Sequence, residues 1–239
     1  MASDRTARNV TSDAASGSSV PGVLLIHGIG VSGRYYASLA EHLGSTHRVV
    51  IPDLPGFGDS GRPRPVLSIT EQAEALEAVA KSSGLVRPVL VGHSMGAQVV
   101  TELAVRNPGL ARAVILIGPV VDPAASNAFQ QGWRLALDIM GEPMRLNATV
   151  LWDYLRGGPR SFFGTLRHML DYPLEERLGQ VDVPVVLMRG SHDPIASLAF
   201  LQRLARAVGG AEVVEVPEAG HIAMAVRPEL VAGVCRRFV

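Results

Sequence analysis

The stretch Val89-Leu90-Val91-Gly92-His93-Ser94-Met95-Gly96-Ala97 joins an aliphatic run to the start of an amphipathic segment. Its centre has the form G-x-S-x-G, which at a strand-to-helix junction is typical of a nucleophile elbow. The two glycines allow a tight turn that holds Ser94 in a strained backbone conformation, with its hydroxyl exposed above the edge of a sheet. The first turn of the helix adds free N–H groups and a positive dipole where an oxyanion would form. The stretch therefore predicts a nucleophilic serine.

Similar aliphatic runs recur along the chain, separated by amphipathic segments. Runs of this length that are rich in β-branched residues predict strands buried on both faces. The segments between them carry apolar residues at three- and four-residue spacing, which predicts helices. The alternation indicates an α/β fold with a mostly parallel sheet of about six strands flanked by helices. The predicted strands are 23–26, 49–51, 89–91, 114–117, 185–188 and 213–216, and the predicted helices are 36–43, 69–81, 97–106, 196–208 and 229–238.

One interval breaks the alternation and is predicted to be all helical. Residues 122–180 contain no strand-like run, and glycine and proline divide them into short helical segments. We expect them to form a helical cap inserted into a core of residues 21–121 and 181–239. The breaks are Gly141-Glu142-Pro143, Gly157-Gly158-Pro159 and Tyr172-Pro173.

Composition and charge exclude several classes of partner. Of the 239 residues 47% are hydrophobic, and 22 Lys and Arg balance 22 Asp and Glu, so the formal net charge is zero. A neutral chain lacks the basic field that nucleic acid or an anionic membrane surface requires. We therefore expect a small-molecule substrate and no nucleic-acid or membrane partner. The sequence leaves open whether the chain forms a homodimer.

Cysteine content and the N-terminal stretch suggest a compartment. Cys235 is the only cysteine, which excludes an intrachain disulfide and a cysteine-based metal site. Residues 1–20 have too few apolar side chains to offset the entropy of ordering, and they lack the apolar centre of a signal peptide, so they are expected to be a flexible tail. No stretch approaches the roughly 18 apolar residues of a membrane span. We expect a cytoplasmic protein.

A serine hydroxyl is a weak nucleophile at neutral pH and needs a base, which in turn needs an orienting acid. Asp193 follows the predicted strand 185–188, and His221 follows the predicted strand 213–216. Open α/β sheets place their sites at the carboxyl ends of the strands, so both side chains are expected at the edge that carries Ser94. The chain order Ser, Asp, His suits a catalytic triad.

From about residue 21 to 239 the chain resembles an α/β-hydrolase. The resemblance implies that Ser94 is the nucleophile, His221 the general acid and base, and Asp193 the residue that orients His221. It also implies an oxyanion hole made by the backbone N–H groups of Ile29 and Met95, and a reaction that needs no cofactor and no metal. The landmarks that carry the resemblance are His27-Gly28-Ile29-Gly30, Asp53-Leu54-Pro55-Gly56-Phe57-Gly58-Asp59-Ser60, the elbow, the Asp193 loop and Gly220-His221.

The N-terminus departs from the family pattern. Most members begin with an antiparallel hairpin, whereas only about twenty residues of tail-like composition precede Val23 here. The sheet therefore either lacks the hairpin or retains a stub around Val10. The departure leaves one edge of the sheet uncovered.

Several other residues have competing interpretations. Asp122 also follows a predicted strand and is an alternative acid, because some members of the family take the acid there, although Asp193 has the better loop context. His27 resembles the family's structural histidine beside the oxyanion loop. His93 and His192 neighbour the predicted triad and are interpreted as shaping residues rather than proton carriers.

The large side chains of the predicted cap also have two interpretations. Most of them are expected to pack the cap helices against one another. The resemblance implies a cap that lies over the nucleophile, so some should line an apolar pocket for hydrophobic acyl or alkyl groups. The candidates for this pocket are Trp133, Met140, Trp152, Phe162 and Phe163.

The leading functional hypothesis is a serine hydrolase that cleaves carboxylic esters of small, fairly hydrophobic substrates through an acyl-enzyme. One alternative is carbon–carbon bond hydrolysis of a ring-cleavage product, although Gly220-His221-Ile222 lacks the tryptophan that commonly follows the histidine in that branch. The other alternative is a non-hydrolytic ligand-binding or lyase-like protein on the same fold.

Overall fold

The computed structural model describes residues 7–8, 21–122 and 159–239. A 3-10 helix over Gly33–Tyr36 leads into the first α-helix. Within these ranges, no helix is both long enough and apolar enough to cross a membrane.

The strands are β1 (Ala7–Arg8), β2 (Gly22–Ile26), β3 (Arg48–Pro52), β4 (Val89–His93), β5 (Ala113–Ile117), β6 (Val185–Gly190) and β7 (Glu212–Val216). The helices are α1 (Ala37–Gly44), α2 (Ile69–Ser82), α3 (Met95–Arg106), α4 (Pro159–Asp171), α5 (Leu174–Leu178), α6 (Leu198–Ala207), α7 (Ala223–Val226) and α8 (Pro228–Arg236).

The described strands form one sheet in the order β1-β3-β2-β4-β5-β6-β7. Strands β2 to β7 are mutually parallel, which confirms the predicted six-stranded parallel sheet. Strand β1 pairs antiparallel with β3 through Ala7 opposite Pro52 and Arg8 opposite Ile51. Within the described residues, β1 is a two-residue strand that covers part of the outer edge of β3. The rest of the predicted tail lies outside the described residues.

Strands β2, β4 and β5 are buried along their whole length, which explains their continuous apolar sequence. The prediction of burial on both faces is wrong for β7, in which only Val216 is buried. The reason is topological, because β7 ends the sheet and has one neighbouring strand. Its charged residues Glu212 and Glu215 suit an exposed edge, where they discourage pairing with another chain.

Helices cover both faces of the sheet. Along β2 and β4, Leu24 and Leu90 face one hydrophobic cluster, which includes residues of α2, α3 and α6. Their neighbours Val23 and Val89 face the second cluster, which includes residues of α1 and α8. Successive strand residues point to opposite faces, so one aliphatic run supplies both cores.

The described end of the predicted cap packs on α3, the helix that begins directly after Ser94. Helix α4 ends at Asp171 and α5 begins at Leu174, on either side of the Tyr172-Pro173 break. Glu102 of α3 is only 4% exposed. Its carboxylate accepts hydrogen bonds from Tyr172 Oη at 2.8 Å and from the guanidinium of Arg177 at 2.8 and 3.0 Å. The paired carboxylate holds α4 and α5 against the core.

Candidate active site

Ser94 occupies the turn between β4 and α3 and has the strained backbone that the elbow pattern predicts. Its φ is 55° and its ψ is −122°. A non-glycine residue in such a conformation costs of the order of 1–3 kcal/mol, which the surrounding structure must offset. The backbone is held by a hydrogen bond from Ser94 N to Ile117 O at 3.0 Å and by one from Ala97 N to Ser94 O at 3.0 Å. The hydroxyl makes no capping hydrogen bond to α3.

The glycines of the elbow are required by backbone packing. A Cβ atom on Gly92 would lie 2.3 Å from Gly96 O, and one on Gly96 would lie 2.2 Å from Ile26 O. Both distances are far inside van der Waals contact with backbone atoms that cannot move aside. Ser94 itself is 7% exposed, so it is buried rather than open to solvent as the sequence suggested. The loop at Gly28 also packs closely against Ser94, because a Cβ atom on Gly28 would lie 3.0 Å from Ser94 Cβ.

Asp193 and His221 come together at the carboxyl ends of β6 and β7. The Nδ1 atom of His221 lies 2.9 Å from Oδ2 of Asp193, and both residues are more than nine-tenths buried. The second oxygen, Oδ1, accepts hydrogen bonds from the backbone N–H groups of Ile195 at 2.8 Å and Ala196 at 3.0 Å. The carboxylate is therefore fixed in the orientation that meets the imidazole.

The electrostatics of this pair favour an ionised carboxylate. Burial alone would raise the pKa of Asp193, but the charge of His221 and the hydrogen bonds from His221, Ala196 and Ile195 outweigh it. The pKa of Asp193 therefore lies below its usual value. An ionised carboxylate only accepts hydrogen bonds, so the proton of this contact resides on Nδ1 of His221.

The end of β5 packs directly against the Asp193–His221 pair. Gly118 has a φ of 53°. A Cβ atom on it would lie 2.9 Å from both Cε1 and Nδ1 of His221 and 3.2 Å from Asp193 Oδ2. Gly118 is thus a wall of the site that sequence reasoning missed, although a glycine directly after a buried strand is the signal that could have found it.

Arg189, near the end of β6, organises the loop that carries Asp193. It is 8% exposed. Its guanidinium donates to the backbone oxygens of Ala196 at 2.6 Å and Asp193 at 3.0 Å, and Nη1 lies 2.5 Å from Oε2 of Glu215. Sequence reasoning missed this residue too. The available signal was an arginine inside an otherwise aliphatic strand, because arginine is seldom buried without partners.

The alternative acid Asp122 has other partners. Its Oδ1 lies 3.0 Å from Nη2 of Arg203, and its Oδ2 accepts a hydrogen bond from Ser197 Oγ at 3.0 Å. Arg203 also donates to Glu175 at 2.9 Å, which links the end of β5 to α5. Among the described contacts, the carboxylate paired with His221 is Asp193.

The loop predicted to carry half of the oxyanion hole is held by hydrogen bonds to the residues that follow β3. His27 Nε2 accepts a hydrogen bond from Leu54 N at 2.9 Å, which is the structural role expected of this histidine. Asp53 accepts from Gly33 N at 2.8 Å and from Asp59 N at 2.9 Å. Ile29 lies one residue beyond Gly28, and Met95 is the first residue of α3.

The pocket candidates are only partly covered by the structure. Phe162 packs against the first hydrophobic cluster, whereas Phe163 is 65% exposed. Trp133, Met140 and Trp152 lie outside the described residues. Within the described ranges, no group of three or more His, Cys, Asp and Glu side chains is placed to hold a metal ion.

A cavity of about 620 Å³ opens beside the end of β5. Its walls combine apolar side chains with three acidic residues, and they comprise Val121, Leu170, Asp171, Tyr172, Pro173, Leu174, Glu175, Glu176 and Phe200. The volume falls within the range of pockets that bind small organic molecules.

The alpha/beta hydrolase family matches residues 23–234, so the chain belongs to this family and is a hydrolase. It is similar to a pimeloyl-[acyl-carrier protein] methyl ester esterase from Chromobacterium violaceum, with 26% identity over 84% of this chain and 87% of that protein. It is also similar to a 2-(acetamidomethylene)succinate hydrolase from Mesorhizobium japonicum, with 24% identity over 92% of this chain and 88% of that protein.

Solved structures show the same fold. The enol-lactonase from Burkholderia xenovorans LB400 superposes with a TM-score of 0.81 and 20% identity, covering 97% of this chain and 95% of that one. This superposition confirms the alpha/beta hydrolase fold.

Proposed function

We propose that this hydrolase cleaves carboxylic esters of small, fairly hydrophobic substrates through an acyl-enzyme on Ser94. The observation that carries the proposal is the buried 2.9 Å contact between Asp193 and His221. It lies at the carboxyl ends of the strands, and Ser94 follows β4 at that end with a strained backbone conformation. Strained backbone persists at functional sites, where the stored strain is part of the mechanism.

In the proposed mechanism, His221 is the general base. Its Nδ1–H donates to Asp193, so the neutral ring presents the lone pair of Nε2. Nε2 takes the proton of Ser94 Oγ as the oxygen attacks the ester carbonyl. The resulting oxyanion is stabilised by the N–H groups of Ile29 and Met95, and the imidazolium by the carboxylate of Asp193.

The intermediate then collapses, and His221 gives its proton to the departing alcohol. A water molecule, deprotonated by His221 in the same way, attacks the acyl-enzyme and releases the acid. The resemblance to an esterase whose name specifies a methyl ester supports the ester bond as the bond cleaved.

The test is hydrolysis of p-nitrophenyl esters of rising acyl length by the wild type, Ser94→Ala and Ser83→Ala. Loss of a triad nucleophile is expected to lower kcat by at least about three orders of magnitude. Ser83→Ala is the matched control, because Ser83 is also buried but donates to Ala80 O at 2.7 Å at the end of α2. It should retain wild-type turnover.

Two results would overturn the proposal. An Ser94→Ala variant that keeps wild-type turnover would remove Ser94 from the reaction. A wild type that cleaves no ester but bleaches a coloured dienoate would favour carbon–carbon bond hydrolysis.

A further inference from the structure

A chain of buried hydrogen bonds joins the predicted oxyanion loop to the backbone of His221. Gly28 N donates to Tyr35 Oη at 2.9 Å, and Tyr35 Oη lies 2.9 Å from His93 Nδ1. His93 Nε2 in turn lies 3.0 Å from the backbone oxygen of His221. Tyr35, His93 and His221 are each no more than 4% exposed.

Each proton in this chain can be assigned. The backbone oxygen of His221 can only accept, so Nε2 of His93 carries the proton. Burial, followed by the charge of His221, holds the pKa of His93 well below its ordinary value, so the ring is neutral and Nδ1 has a lone pair. The hydroxyl of Tyr35 therefore donates to Nδ1 while its oxygen accepts from Gly28.

We propose that Tyr35 is a positioning residue that fixes the two halves of the site relative to each other. Through Gly28 it orients the loop that presents the N–H of Ile29, and through His93 it locates the backbone of His221. The inference rests on the proposed function of Ser94 and His221. None of the sequence motifs contains Tyr35, and its hydroxyl is the one atom common to both branches.

Ring contacts reinforce this geometry. The ring centroids of Tyr35 and His93 are 5.5 Å apart, and those of His93 and His221 are 4.7 Å apart. The three rings pack in a row, so a shift of the Tyr35 ring would displace His93, and His93 would in turn displace His221.

The experiment compares Tyr35→Phe with Ser83→Ala as the control. Ser83 is buried at the end of α2, and its hydroxyl donates to Ala80 O at 2.7 Å. Both variants lose one buried hydroxyl, and both should lower the Tm. Of the two, only Tyr35→Phe removes the hydroxyl that contacts Gly28 N and His93 Nδ1.

Misplacing catalytic groups by about 1 Å can cost about 100-fold in rate, so Tyr35→Phe should lower kcat by about 10- to 100-fold. The KM should change by no more than about twofold, because the hydrogen-bond chain acts on groups that stabilise the transition state. Ser83→Ala should keep both constants within about twofold of wild type. A fluorophosphonate should likewise modify Ser94 more slowly in Tyr35→Phe than in Ser83→Ala or the wild type.

A second readout is made on the resting protein by nitrogen-15 NMR of the His93 ring. The wild type should show the neutral form with the proton on Nε2, and Tyr35→Phe should shift the Nδ1 resonance, whereas Ser83→Ala should not. If Tyr35→Phe matches Ser83→Ala in kcat while the wild type is active, the inference is wrong and the proposed function stands. If the wild type neither cleaves esters nor reacts with the fluorophosphonate, the proposed function fails and the inference falls with it.

Discussion

The two carboxylate oxygens of Asp193 have different partners, since one contacts His221 and the other accepts hydrogen bonds from its own loop. Oδ2 lies 2.9 Å from Nδ1 of His221, and Oδ1 accepts the N–H groups of Ile195 and Ala196. The loop therefore fixes the carboxylate independently of the histidine. An acid held in this way stabilises an imidazolium without having to reorganise when the charge forms.

Asp193→Asn should preserve the fold and lower kcat by about four orders of magnitude. The amide can donate to Nδ1, which favours the wrong tautomer of His221 and removes the lone pair from Nε2. The measurement is kcat for the best p-nitrophenyl ester.

Asp122→Asn is the control for this variant. It removes the negative charge that faces Arg203 and one of the two acceptor oxygens, so it should lower the Tm, but kcat should stay within about threefold of wild type. If Asp122→Asn instead removed the activity and Asp193→Asn did not, the acid would have been assigned to the wrong carboxylate.

Much of this site could be predicted because its determinants are local in sequence. The elbow needs small residues at 92 and 96 to avoid backbone atoms, and glycine at both positions records that need. Asp193 and His221 could be placed because a parallel sheet brings the carboxyl ends of its strands to one edge.

The remainder depends on contacts between residues far apart in sequence. Tyr35 and His93 are 58 positions apart, and no local pattern indicates that their side chains meet. The exposure of β7 likewise follows from its place at the end of the sheet, which the run Val213-Val214-Glu215-Val216 does not encode. Burial of Arg189 depends on carbonyl groups that a loop supplies only after folding.

Gly118→Ala should lower kcat/KM by about tenfold or more. The added methyl group would lie 2.9 Å from the ring of His221 and must displace it from Asp193. Gly109→Ala is the matched control, because Gly109 also has a positive φ, of 81°, but has no atom within 4 Å of the added methyl group. Both variants should lose about 1 kcal/mol of stability through backbone strain.

The kinetic difference between these two glycine variants isolates the contact with His221. It is read from kcat/KM at equal folded fraction, established by circular dichroism. Equal activity of the two variants would show that β5 does not constrain the imidazole.

Arg189→Met should destabilise the protein by about 2–4 kcal/mol, because it leaves buried carbonyl groups of the Asp193 loop without their donor. We also expect a lower kcat, since the loop that positions Asp193 would lose the guanidinium that anchors its carbonyl groups. The comparison is Arg106→Met, which removes an exposed ion pair with Glu74 and should cost less than about 1 kcal/mol. Urea denaturation measures both changes in the free energy of unfolding. Arg189→Lys keeps a charged donor without the planar guanidinium, and it should recover part of the lost stability if the donor matters more than the guanidinium geometry.

His93 should make the stability of the fold depend on pH. Its pKa is lowered well below the usual value in the folded state, first by burial and then by the charge of His221, with Asp193 and His27 also facing it and Tyr35 bonded to Nδ1. In the unfolded chain the ring takes up a proton below about pH 6.5, whereas the folded protein keeps it neutral. Acid therefore favours unfolding, and the free energy of unfolding falls as the pH drops below about 6.5.

Urea titrations from pH 8 to pH 5 should show the free energy of unfolding falling less steeply for His93→Gln than for the wild type. Above about pH 7.5 His93 is neutral in both states, so the two curves should run parallel there. Equal slopes below pH 6.5 would mean that His93 is protonated in the folded protein, and the proton assignment that places the Tyr35 hydroxyl on Nδ1 would then be wrong.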